Sequence, residues 1–153
     1  MEAKNLAIAL LALLIAVTGV FAKEKVLVSA DATGVVLQGY DAVAYFTQGT
    51  AVKGDQKYKA AYKGGTYFFA SEANKRLFKK DPAKYAPQYG GYCAMAVSMG
   101  HLEEADPKMF TIHRDKLLLQ RNEKAHQMFM ANPDAFHDKA DQQWPTLLEK
   151  NGK

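Results

Sequence analysis

The stretch QKYKAAYKGGTYFFAS, residues 56–71, decides the fold class. Tyr58, Ala60 and Tyr62 alternate with lysines, the two-residue period of a strand with one face turned inward. Gly64-Gly65 supplies the positive φ of a tight turn, and Thr66 to Phe69 returns as an aromatic strand. The segment therefore predicts a β-hairpin. Ser71 follows as a helix cap, with Glu72 at the positive end of the helix dipole. Leu77 and Phe78 are expected to face inward, and Asp81-Pro82 stops the helix.

Working outward, MFTIHRDKLLLQ (109–120) reads as a second hairpin turning at Arg114-Asp115. Lys25 to Ser29 and Val35 to Leu37 read as two short strands about the turn-like Asp31 to Gly34. A helix is expected over Tyr92 to Met99, between a glycine pair and Gly100. Two helices close the chain. One covers Asn122 to Met130 with Ala125, Met128 and Phe129; the other starts at Pro133 and carries Phe136, Ala140 and Trp144. Hairpins interspersed with helices predict an α+β fold, small antiparallel sheet packed with several short helices.

The first residues read as a secretory leader. Lys4 precedes an apolar run from Leu6 to Val17, Thr18 and Gly19 break it, and Val20-Phe21-Ala22 fits a signal-peptidase pocket. The run is shorter than the roughly 20 residues a spanning helix needs. Cleavage is expected after Ala22, so residues 1–22 are a signal peptide and 23–153 a single domain, periplasmic or secreted, with no stable membrane insertion afterwards. Removing Glu2 and Lys4 leaves the net charge at +4, with both signs mixed along the chain. That pattern points to solubility and away from nucleic acid, which wants clustered cations. Cys93 is the one cysteine, so no internal disulfide forms and paired Cys-x-x-Cys zinc sites are excluded.

Three stretches carry a resemblance: QGYDAVAYFTQG (38–49), YKGGTYFFASEANKRLFKKDPAKYAPQYGGYCA (62–94) and ADQQWP (140–145). Together they resemble the exported, stand-alone YHS-domain proteins. In the wider group, whose members are thought to bind copper or other soft metals, the resemblance implies three cysteine ligands. Here Ala44, Ala70 and Asn74 stand in their places. Alanine has no donor atom and an amide is a poor ligand for a soft metal.

Two sets of residues remain as candidates. Cys93, Met99 and His101, with Met95 nearby, have the softness that suits copper(I). On one regular helix Met95 and Met99 would share a face roughly 120 to 160° from Cys93, against closure of the set on one ion. The plainer reading packs Cys93, Ala96, Val97 and Gly100 as a small-residue face. The other set is a small-ligand pocket between GYDAVAY and APQYGGYC, in which Tyr40, Asp41, Tyr89 and Tyr92 offer polar groups and Gly90-Gly91 allows close backbone approach. The residues thus point to a non-catalytic binding module for a soft metal or small ligand near Cys93. The alternatives are a thiol-dependent enzyme or redox protein using Cys93, with the helix start lowering its pKa, and an interaction protein without a ligand. His113, His126 and His137 read as surface or half-buried side chains.

Overall fold

The structure, a computed structural model, describes Gly19 and residues 22–153. The expected leader therefore lies, apart from Gly19 and Ala22, outside the described residues. No helix among the described residues is long and apolar enough to cross a membrane.

Both hairpins form, giving two separate two-stranded antiparallel sheets in an α+β fold. In the first, β1 (Asp55–Tyr62) pairs with β2 (Gly65–Phe69), Tyr62 opposite Gly65 and Ala60 opposite Tyr67. The turn is Lys63-Gly64, at φ 43° and 82°, one residue earlier than the glycine pair predicts. Gly65 already belongs to the strand. A Cβ there would sit 2.2 Å from Val36 Cγ2, so its role is close packing. In the second, β3 (Asp106–His113) pairs with β4 (Lys116–Gln120) around Arg114 and Asp115, both left-handed at φ 52° and 58°.

The two short strands expected before the first hairpin do not form. Asp31 Oδ1 accepts hydrogen bonds from the Thr33 and Val35 amides, so the predicted turn is present. Its flanks make only isolated bridges, Ala30 to Val36 and Val35 to Thr66, because Leu37 enters a tight 3₁₀ turn at φ 58°. The segment before it is tethered elsewhere: Val26 and Lys153 exchange backbone hydrogen bonds of 3.1 and 2.9 Å.

A four-residue helix, α1 (Ala44–Thr47), precedes the first hairpin, and α2 (Glu72–Lys80) and α3 (Pro82–Tyr85) follow it. Ser71 Oγ caps α2 by accepting from Asn74 N at 3.1 Å. Of the two residues expected inward, only Phe78 is buried, against Tyr67 and Phe69 with ring centroids 4.7 and 5.0 Å away. Leu77 is 40% exposed, since a neighbour 100° around the helix leaves that narrow face.

The expected helix over Tyr92 to Met99 shortens to α4 (Ala94–Ser98), with Cys93 ahead of it in a non-helical conformation. Cys93 N donates to Glu103 O at 2.9 Å, and the residue bridges to Leu119 of β4. Helices α5 (Glu123–Ala131) and α6 (Pro133–Asn151) complete the chain, capped by the side chains of Asn122 and Asn132, which accept from Ala125 N and Ala135 N.

Strand β4 joins two cores. Leu117 and Leu119 pack with Tyr45, Tyr67, Phe69 and Phe78, whereas Leu118, on the opposite face, packs with Cys93, Val97, Phe129 and Ala140. The two-residue period of a strand explains the split. Both faces are covered, so the strand reads as a continuous apolar run.

Candidate functional site

Asp41 is fully buried. Its Oδ1 accepts from the Val43 and Ala44 amides at 2.8 and 3.2 Å, and its Oδ2 from the Ala70 amide and the Asn74 side-chain amide at 2.8 and 2.7 Å. Three of those four donors belong to Ala44, Ala70 and Asn74, the positions where the resemblance would place cysteines. A buried carboxylate thus stands at the centre of that constellation, its charge met by four N–H groups. Its role is to lock the 41–44 turn onto the end of β2 and the start of α2.

The expected ligand set does not gather in one place. Tyr40 lines a polar cavity with Lys53, Glu104, Asp106 and Arg121, its ring 4.6 Å from Lys53 Nζ. Asp41 is committed to its hub. Tyr92 is half-buried against the second core. Tyr89 and Gly90 instead line a separate cavity of about 300 Å³, walled by Val26, Val28, Tyr62, Tyr67, Pro87, Trp144 and Leu148 and edged by Glu24, Lys25, Lys63 and Lys116.

Local backbone builds this cavity. Tyr89, Gly90 and Gly91 run left-handed at φ 56°, 60° and 85°. A Cβ on Gly90 would lie 2.1 Å from Leu27 O, so only glycine lets the 24–28 segment cross there and close one wall. The close approach expected of the glycine pair is thus made by the chain itself. Ser29 N donates to Gly90 O at 2.9 Å and fastens the crossing. Tyr89 is a non-glycine residue in a sparsely populated conformation, held by a 2.7 Å hydrogen bond from its hydroxyl to Asp141 Oδ1 and by edge contact with Trp144. Burial first, then that bond, pushes the Tyr89 phenol far above its ordinary value. Burial likewise raises Tyr67, which lines the same cavity and whose hydroxyl is paired with no described residue.

Cys93, Met95, Met99 and His101 do line one cavity, of about 240 Å³, joined by Met128 of α5. Met128 lies on a different helix, so local spacing does not reveal its approach to this set. The donors are otherwise engaged. The Cys93 thiol is fully buried and donates to Gln120 Oε1 at 3.3 Å, which also accepts from Met95 N. Gln120 Nε2 is left without a partner among the described residues. The His101 ring pairs with Glu103 at 3.0 Å, and Met99 is 62% exposed. Glu103 is held below the ordinary glutamate value, chiefly by its hydrogen bond from Arg121. No three His, Cys, Asp or Glu side chains among the described residues converge as a metal-binding group.

Of the histidines expected at the surface or half-buried, His113 is half-buried as read, and His137 departs from that expectation. His137 is buried, 3% exposed, and its Nδ1 lies 2.7 Å from Nδ1 of His113. Burial lowers its pKa. The hairpin end and the sixth helix bring the pair together across 24 residues, which no local spacing reveals.

No curated protein and no solved structure matches the chain. Residues 43–89 match the family model described as the YHS domain, a family regarded as metal-binding modules. The matched span holds the first hairpin, α2, α3 and Tyr89, and its three expected donor positions are filled by two alanines and an asparagine bonded to Asp41. A soft metal does not fit there, since the nearby N–H groups present hydrogens and no donor sulfur remains. Over residues 43–89, then, the chain matches the YHS-domain family model, and the rest of the chain lies outside that match.

Proposed function

We propose that the chain is an exported, periplasmic or secreted, non-catalytic binding module that holds a small, largely apolar aromatic ligand in the Tyr89–Gly90 cavity. The observation that carries the reading is the cavity itself: aromatic walls from Tyr62, Tyr67, Tyr89 and Trp144, with a Tyr67 hydroxyl that no described residue engages and that can orient a ligand. Concave, mostly apolar sites with a few placed polar groups are what small molecules bind. Its volume of about 300 Å³ suits a ligand of one or two rings. Lys116 at the rim favours an acidic substituent, whereas Lys25 and Lys63 already pair with Glu149 and Glu24.

The test is native mass spectrometry of the purified chain with a set of one- and two-ring aromatic carboxylates. Retention of a single ligand per chain, reduced in Lys116→Ala, supports the reading. Equal, unsaturable retention of every compound contradicts it.

A second reading is favoured by one observation, the gathering of Cys93, Met95, Met99, His101 and Met128 around one cavity, which suits copper(I). It requires Cys93 to leave Gln120 and lose its proton. Competition of the reduced protein against a copper(I) chelator of known affinity, beside Cys93→Ala, separates the readings: equal competition by both proteins eliminates copper at Cys93.

A further inference from the structure

The His113–His137 pair lies outside the lining of all three cavities described above and is flanked by acids. His113 Nε2 is 3.1 Å from Asp134 Oδ1, and His137 Nε2 is 3.9 Å from Asp141 Oδ1. The tautomers follow from these partners. A carboxylate only accepts, so His113 carries its proton on Nε2 and presents a lone pair at Nδ1. His137 must then donate from Nδ1, which leaves its own Nε2 as a bare lone pair facing a carboxylate.

We propose that His113 and His137 form a two-histidine site for a first-row transition-metal cation such as zinc, the metal replacing the proton that links the two Nδ1 atoms. Binding moves the His137 proton: Nδ1 releases one to solvent and Nε2 takes one up, with no change in oxidation state. Each imidazole then ligates through Nδ1 and donates from Nε2 toward an acid, Asp134 for His113 and Asp141 for His137. A carboxylate behind a ligating histidine fixes ring orientation and raises its basicity. Asp141 is itself held by the Tyr89 hydroxyl at 2.7 Å, so the site adjoins the wall of the ligand cavity.

Water completes the shell, because only two protein nitrogens converge. The rings must separate from 2.7 Å to about 3.3 Å, the spacing of two ligands at bonds near 2.0 Å and a tetrahedral angle. His113 can yield, being the last residue of β3 with its side chain 18% exposed. That exposure also admits the ion. Arg114, the neighbouring cation, is already paired with Asp134 and Asp138 at 2.7 and 2.6 Å.

The experiment is a zinc titration of the purified chain carrying ¹⁵N-labelled histidine, followed by imidazole nitrogen resonances. The expected result is saturation at one zinc per chain, with His113 and His137 Nδ1 signals shifting and those of His101 and His126 unmoved. His113→Gln should weaken zinc binding at least about 100-fold, and Asp134→Asn about 10-fold through loss of the carboxylate behind His113. The proposal is overturned if equimolar zinc leaves the His113 and His137 signals in place, if the shift falls on His101, or if His113→Gln binds zinc as well as the unsubstituted protein. The resonance shifts are read on that unsubstituted protein, so a variant that fails to fold does not shield the proposal.

Discussion

The Asn74 side-chain amide donates to Asp41 Oδ2 at 2.7 Å, joining the first helix after the hairpin to a turn 33 residues earlier. With Ala44 N and Ala70 N on the same carboxylate, the three positions where the resemblance implies cysteines form a hydrogen-bonded hub instead. Removing the carboxylate leaves the buried Val43 and Ala44 amides unpaired, each costing about 1–3 kcal/mol, and releases two part-buried N–H groups, those of Ala70 and Asn74. Asp41→Ala is therefore expected to lose about 3–5 kcal/mol of stability, read by chemical denaturation. A loss below about 1 kcal/mol would show that water takes over the donors.

Cys93 should behave as a packed residue. Its thiol is fully buried and bonded to Gln120 Oε1, and a thiol must be exposed and ionised to react. Alkylation by iodoacetamide in the folded protein is expected at least about 100-fold slower than in denaturant, because modification waits on opening. Rapid labelling of the folded protein would revive the thiol-dependent alternative.

Much of the fold is legible locally. Alternation at residues 58–62, the Arg114-Asp115 turn, and the caps Ser71 and Asn122 each act over a few residues, and each appears in the structure. Partners distant in the chain are not legible. Asp41 reaches Ala70 and Asn74, His113 reaches His137, and Tyr40 and Tyr89 line different cavities. Leu117, Leu118 and Leu119 read as one apolar run, yet they serve two cores because both strand faces are covered. Local spacing puts Cys93 inside a helix; its bridge to Leu119 of β4 keeps it non-helical, just before one.

Gly90 is the residue on which the cavity wall turns. At φ 60°, with Leu27 O 2.1 Å from where a Cβ would stand, Gly90→Ala forces the 24–28 segment away. The expected cost is about 2 kcal/mol or more, from left-handed strain and displaced backbone together. Hydrogen exchange at Ser29, whose amide donates to Gly90 O, should accelerate in the same variant.

Export predicts a trimmed chain. Intact-mass measurement of the protein recovered from the periplasm or medium is expected to find it beginning at or near Lys23. Full-length chain retained with the membrane would contradict that reading.

The most direct test of the binding reading uses Trp144, the chain's single tryptophan, which lines the cavity. The probe is 2-naphthoate, a two-ring aromatic carboxylate, titrated into the folded protein while Trp144 emission is recorded. The account predicts a saturable one-to-one change. That change should fall at least about 10-fold in affinity in Ala83→Phe, which places a ring at an exposed lining position of helix α3. Trp144 emission that never saturates, or a response identical in Ala83→Phe, would contradict a ligand site at this cavity.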